Sequence, residues 1–351
     1  MTPRAAAFAI PGDIATVTGG YIYERRLLQE LRALGHDVTH LQLGASFPEP
    51  TPADMDHAVT SLRSLDPERA LILDGLVYGA VDTAGLAQVR APIVAMIHHP
   101  LALETGLDPA LRDHLFRTER ANLALAEEVL VPSGHTAHIL TTQYAVPAQR
   151  ITIAQPGSER PTGIRVPADP PLILSVGIQH PRKGHDVLLR ALAGLRDLRW
   201  RAVIVGSAHD AACAEDLARL LDQLALGDRV TFAGRIPQPD LDALFGQASL
   251  FALATRYEGY GMVFDEALAW GLPIVSCDTG AVPHTVPSGA GLLVPPDAPE
   301  DLADAIACIL TDKTLREDME ACAKRAGTAR PKWQDTARIA GQVLNALKPR
   351  R

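Results

Sequence analysis

Leu250-Phe-Ala-Leu-Ala-Thr-Arg-Tyr-Glu258-Gly-Tyr-Gly-Met-Val-Phe-Asp-Glu266-Ala-Leu-Ala-Trp-Gly-Leu-Pro273-Ile-Val-Ser276 holds an apolar run, a glycine-rich turn, a helical segment and a second apolar run. The runs Leu250–Ala254 and Pro273–Ser276 have strand length and no helical stripe. Two strands joined by a helix pair in parallel, since parallel neighbours need a long crossover. The same alternation extends in both directions. Strands are expected at Leu172–Val176, Arg201–Val205, Val230–Ala233 and Gly291–Val294. The first half repeats the pattern at Ala5–Ile10, Asp37–Leu43, Ala70–Leu76, Pro92–His98, Glu128–Pro132 and Ile151–Gln155. Amphipathic segments such as Tyr21–Leu34, stopped by Gly35, lie between them. The reading is an α/β chain of two doubly wound parallel sheets covered on both faces. Arg160–Pro171, rich in proline and without either period, reads as the linker between them.

The 351 residues, 47% hydrophobic and 21% charged, exceed one ordinary core. They suit two domains of ~150–200 residues each. No apolar run approaches the ~18–20 residues of a membrane span. The opening Met1–Asp13 carries one arginine and a short apolar stretch, and reads as a first strand rather than a signal peptide. Cys213, Cys277, Cys308 and Cys322 are dispersed, without a CxxC pair. That excludes a zinc ribbon or disulfide framework and suits a reducing cytoplasm. The net charge of −8 is shared by both halves, the opposite of a nucleic-acid footprint.

Ligands of open α/β sheets sit outside the carboxyl ends of the strands, so the turns there are the places to search. Thr18-Gly-Gly20 precedes a helix whose free N–H groups suit an anion, although GxGxxG and its distant acid are lacking. After Val176-Gly177 comes Arg182-Lys183-Gly184, two cations closing a strand-to-helix loop, with a phosphate-binding reading set against a solvated surface pair. Gly206-Ser207 and Gly234-Arg235-Ile236 put small residues or open backbone after two further strands. In the opening stretch, Glu258 ends a strand, glycines follow, and Glu266 stands in the first turns of a helix. Two acids beside an anion suit neutral hydroxyls, such as those of ribose and a sugar. Separately, Glu266 would only favour a helix start and Glu258 would be a loop acid. His98-His99 closes a first-half strand, where adjacent side chains point to opposite faces. A two-histidine metal site is therefore not expected.

This constellation resembles the retaining glycosyltransferases of family 4, which have the GT-B fold. The similarity rests on the E-x7-E element Glu258–Glu266, on Val176-Gly177 with Arg182-Lys183-Gly184, on Phe232–Pro237, on Ser288–Asp297 and on Gly19-Gly20. The resemblance implies two Rossmann-like domains facing a cleft. Residues 1–165 would be the acceptor side, joined by the terminal helix 333–347, and residues 171–330 would bind the donor.

It also implies roles. Arg182 and Lys183 would neutralise the donor diphosphate in place of a metal, and Glu266 would accept the ribose hydroxyls. Glu258, with the backbone of Gly259, Tyr260, Gly261 and Met262, would hold the transferred sugar. The backbone near Arg235 and Ile236 would meet the base, and the glycines Gly20, Gly177 and Gly206 would let the main chain approach the donor. His98 would face the sugar and acceptor, with Glu104 on the acceptor side; His98, Glu258, Arg182 and Lys183 form the catalytic set. The expected activity is transfer from a UDP- or GDP-sugar to a small-molecule, glycan or lipid acceptor, without cofactor or metal. A nucleotide-sugar epimerase of the same shape and a non-catalytic nucleotide-sugar-binding protein are the alternatives. One departure stands out: Thr279-Gly-Ala-Val-Pro-His284 has histidine where the family usually has an acid. The helix around Leu111–Ala124 carries Arg112, Arg117 and Arg120, and reads as solvated rather than membrane-facing, with Asp113 and Glu119 offsetting the cations.

Overall fold

The computed structural model describes residues 3–348 and residue 350; Met1 and Thr2 of the expected opening strand lie outside them. The chain divides into two compact units, Met1–Gly157 with Pro331–Arg351, and Ser158–Arg330. The first holds β1 (Ala6–Pro11), β2 (Val38–Leu43), β3 (Ala70–Asp74), β4 (Ile93–Met96), β5 (Glu128–Val131) and β6 (Ile151–Ile153). They pair in parallel in the order β2-β1-β3-β4-β5-β6. The second holds β7 (Leu172–Val176), β8 (Arg201–Val205), β9 (Val230–Gly234), β10 (Ala248–Leu253), β11 (Ile274–Cys277) and β12 (Gly291–Val294). Its parallel order is β12-β11-β10-β7-β8-β9. Each sheet reverses its winding once, between β1 and β3 in the first unit and between β7 and β10 in the second. Such a reversal splays the following loops apart and leaves a crevice beyond the carboxyl ends of the strands. Among the described residues no helix is long and apolar enough to cross a membrane.

The central strands are aliphatic because both faces are covered, as at Leu71, Ile72 and Leu73, all fully buried. Two strands end earlier than the expected Leu76 and His98. Asp74 closes β3 by turning its carboxylate onto the Leu76 N–H, capping the short helix Gly75–Tyr78. β4 closes at Met96, so His98 stands in the following bend. The helix Gly19–Ala33 buries Tyr23, Glu24, Leu27, Leu28 and Leu31, while Leu34, expected on this face, is 39% exposed. The terminal helix Trp333–Ala346 packs in the first unit, with Trp333 edge-on to Tyr23 and the Thr336 hydroxyl donating to Gln155 O at 2.6 Å.

The expected linker differs from a free connection. Val166 and Ala168 N–H donate to Gly246 O and Gln247 O, and Arg165 pairs with Glu320 at 2.7 Å. These bonds hold it against the second unit, where its prolines can stay because few of its N–H groups are needed.

Glu119 is a second correction. Asp113 does offset a surface cation, pairing with Arg117 at 2.9 Å, but Glu119 is fully buried. Its carboxylate accepts from Leu101 N at 3.2 Å, holding the turn after His98. Burial pushes this carboxyl up to about 8 from 4.5. Its stabilising contribution is therefore full below about 4.5 and is lost as pH rises through about 8. Glu119→Gln, which keeps an acceptor for Leu101, should stabilise the chain by ~1–3 kcal/mol at pH 8.5 and by little at pH 5. Urea titrations of both proteins at the two pH values measure this; an equal difference at both would refute it.

Candidate functional site

In the second unit, the loops at the winding reversal bring two cations and a carboxylate together. β7 runs through Gly177 into a 3-10 turn, Pro181–Lys183, and then the helix His185–Ala193. The His180 ring caps this turn, accepting from Arg182 N at 3.2 Å. The turn aims Arg182 and Lys183 at Glu258, beyond the end of β10. Lys183 Nζ donates to Glu258 Oε1 at 2.5 Å, and Arg182 Nη1 lies 3.6 Å from Oε2. Arg182 also donates to Tyr257 O, and the Thr255 hydroxyl lies 3.2 Å from Glu258 Oε1. Burial alone would push the Glu258 carboxyl up; Lys183, Arg182 and Thr255 outweigh it and hold it below the usual range. Three of the expected residues thus form one cluster with a net positive charge.

The Glu258 main chain is fixed by Gly280. Ala281 N donates to Glu258 O at 2.8 Å, and a Cβ on Gly280 would sit 2.4 Å from that same oxygen. The close backbone approach at this glycine is therefore to Glu258 itself. His284 is exposed on the short helix Val282–Thr285.

The Gly259–Gly261 turn leads into the helix Met262–Ala269. Tyr260 is buried, and its hydroxyl donates to Asp265 Oδ2 at 2.6 Å, so this residue offers a ligand only its backbone. Asp265 pairs in turn with Arg330 Nε at 2.6 Å, and the Thr285 hydroxyl donates to Tyr260 O at 2.7 Å. Glu266 contrasts with Glu258. It is half-buried, its carboxylate has no hydrogen-bond or ion-pair partner among the described residues, and burial, then Asp242 and Asp265, push it up to about 7. Arg235, exposed, and Ile236 follow β9, and Gly206 follows β8 beside Gly177.

Sequence reasoning did not single out Arg256 and Asp186. Arg256 makes a fork to Asp186, at 3.1 and 2.8 Å, and reaches Asp297 at 2.8 Å. Its own N–H donates to Arg182 O. This clamp ties the cation loop to the loop that carries Glu258. Its only sequence signal was an acid in the first turn after Lys183.

In the first unit, Gly20 and His98 meet: a Cβ on Gly20 would lie 3.4 Å from His98 Cδ2. Two unexpected acids join them. Glu24 Oε1 lies 3.6 Å from His98 Nε2, and Glu24 bonds Asp74. Glu24 had a signal, since 24, 27, 28 and 31 form the buried stripe of the helix. Glu104 pairs with His99 Nε2 at 3.4 Å.

Residues 159–326 match the family model described as glycosyl transferases group 1. The D-inositol 3-phosphate glycosyltransferase of Kribbella flavida is 32% identical over 216 residues, 55% of this chain and 50% of that protein. The chain spans about half the length of the curated relatives it matches. Among solved structures, sucrose-phosphate synthase from Thermosynechococcus elongatus superposes with a TM-score of 0.82 at 22% identity, covering 97% of this chain and 98% of that one. Anabaena HepE, solved with UDP-glucose, gives 0.79 at 18% identity, over 98% and 100%. These likenesses establish the GT-B fold.

Proposed function

We propose that this chain, whose second unit matches the group 1 glycosyl transferases over residues 159–326, moves a sugar from a nucleotide-sugar donor to a hydroxyl acceptor, retaining configuration. The observation that carries this is the Arg182–Lys183–Glu258 cluster beyond the carboxyl ends of β7 and β10. The two cations take the diphosphate and stabilise it as it departs, without a metal. As the phosphates draw on their charge, the Glu258 carboxylate turns to the hydroxyls of the sugar. Glu266, with no hydrogen-bond or ion-pair partner among the described residues, accepts the ribose hydroxyls. The backbone at Gly177, Gly206 and Gly259–Met262 approaches the phosphates and sugar, and that at Arg235–Ile236 meets the base. From the first unit, Gly20 contributes to donor binding and His98 to binding the sugar and acceptor, with Glu104 on the acceptor side. The dispersed free cysteines support a reducing, cytoplasmic setting.

The relatives set the first compounds to try: UDP-glucose, with which HepE was solved, and a phosphorylated cyclitol, named in the Kribbella protein. A saturating donor should raise the melting temperature by several degrees, since ~2.7 kcal/mol is added at a hundred times Kd. Incubation with UDP- and GDP-sugars and acceptors should then yield product, at an unchanged rate in excess EDTA. Isomerised sugar without transfer, or binding without turnover, would refute the transferase reading. Loss of activity in EDTA, restored by Mn²⁺, would refute the metal-free role of the cations.

A further inference from the structure

The first unit holds a buried acid pair that the proposed chemistry does not use. Glu24 is 1% exposed and Asp74 is 3% exposed. The two carboxyls hydrogen-bond each other, which requires one proton to be kept between them. Asp74 also accepts from Leu76 N at 2.9 Å, which fixes its orientation. Among the described residues, Glu24 Oε1 and His98 Nε2 are both buried without a hydrogen-bond partner, and they face each other across 3.6 Å. A buried carboxylate oxygen and a buried ring nitrogen are each costly when unpaired. The ring has little freedom: Tyr23 meets it edge-on with centroids 5.1 Å apart, and Thr136 donates to the His98 carbonyl at 3.3 Å. It nonetheless keeps 21% of its side-chain surface exposed.

We propose that Glu24 and Asp74 are positioning residues for His98, a carboxyl pair holding one proton that draws the imidazole proton to Nε2 and leaves Nδ1 to accept from a substrate hydroxyl. The assignment rests on the reading of His98 as a substrate-binding residue. One negative charge shared by two carboxyls suits a neutral imidazole, since the unprotonated Glu24 oxygen asks only for an N–H. Burial raises both acids, Glu24 to about 7, so the pair retains its proton at neutral pH. Tyr21 and Tyr23 are the other titratable groups coupled to the pair, and both phenols stay neutral at pH 7 because burial raises them. The three side chains also offer ligand atoms within 4.8 Å of one another, a spacing a divalent cation could use. The hydrogen bond between the two acids argues for the proton instead, since a cation would have to expel it.

The test is a long-range ¹H–¹⁵N spectrum of the histidine side chains in the labelled full chain, with His98 assigned by its loss in His98→Gln. Wild-type His98 should be the Nε2–H tautomer at pH 7.5. A hydrogen bond to a carboxylate biases such an equilibrium about tenfold or more, and Glu24→Leu should remove that bias. Asp74→Asn, whose amide still donates to Glu24, should keep the wild-type pattern. An Nδ1–H tautomer in the wild type would overturn the proposal outright, whether or not the variants fold. So would an unchanged ratio in folded Glu24→Leu, or selective broadening of His98 by micromolar Mn²⁺, which would mark a metal site. The underlying reading of His98 fails separately, if His98→Gln turns over donor and acceptor at the wild-type rate while the tautomer result stands.

Discussion

Lys183→Met should weaken nucleoside diphosphate binding about ten- to a hundredfold, the loss expected for one charge-assisted hydrogen bond. It should also destabilise the free chain. Lys183 is 12% exposed and Glu258 is 7% exposed at the side chain, so the variant leaves a buried carboxylate with the Arg182 cation at 3.6 Å and the Thr255 hydroxyl at 3.2 Å. Removing one partner of a buried pair costs ~3–5 kcal/mol, and the remaining arginine puts the expected value at the lower end. The two effects separate in Lys183→Met/Glu258→Gln, which no longer has a stranded charge. That double variant should recover most of the stability and little of the affinity. Urea unfolding and calorimetric titration with UDP and GDP measure both. If the double variant bound as the wild type does, Lys183 would be only the counter-ion of Glu258, and the phosphate assignment would fall.

The acid side carries the same logic. Glu258 is held below its ordinary range, so its contribution is present above about 4.5 and is lost as pH falls through its lower folded value. Glu119 has the opposite sign. The chain thus loses stability toward acid from one carboxylate and toward base from the other.

The fold was legible because each strand-to-helix alternation is a local signal. All twelve strands of the two sheets fall where apolar runs were read, with boundaries shifted by a few residues. The shifts have local causes, such as the Asp74 cap that ends β3. The segments that bring Arg182, Lys183 and Glu258 together were legible because chemistry and spacing coincide in short stretches. What the sequence hid depends on burial. Charged residues read as outward-facing, so Glu119 was assigned to solvent and Glu24 was passed over, although both sit on buried faces. The Arg256–Asp186 and Arg330–Asp265 pairs were hidden by distance along the chain, since 70 and 65 positions separate residues that touch. No periodicity spans such gaps; only the sheet order brings those loops together.

Glu258→Gln and Glu266→Gln should fail in opposite ways. Glu258→Gln releases Arg182 and Lys183 from a competing carboxylate, so nucleoside diphosphate should bind as tightly as before or more tightly. Its turnover should nevertheless fall about ten- to a hundredfold, because the charged acceptor for the sugar hydroxyls is gone. Glu266→Gln should weaken nucleoside diphosphate and donor alike, since both carry the ribose. Here the pH dependence is diagnostic. The Glu266 carboxyl is pushed up to about 7 by burial, with Asp242 and Asp265 adding to it. It is ionised at pH 8, where it accepts both ribose hydroxyls strongly, and largely protonated at pH 6. The affinity gap between wild type and Glu266→Gln should therefore widen from pH 6 to pH 8. The phosphates of the ligand titrate too, but identically for both proteins, so the gap cancels them. Calorimetry at the two pH values, with UDP-glucose as well as UDP, supplies the comparison. A gap that stayed constant would mean that Glu266 does not meet the ribose, and a Glu258→Gln variant that lost diphosphate affinity would mean that the sugar and phosphate roles of this cluster are exchanged.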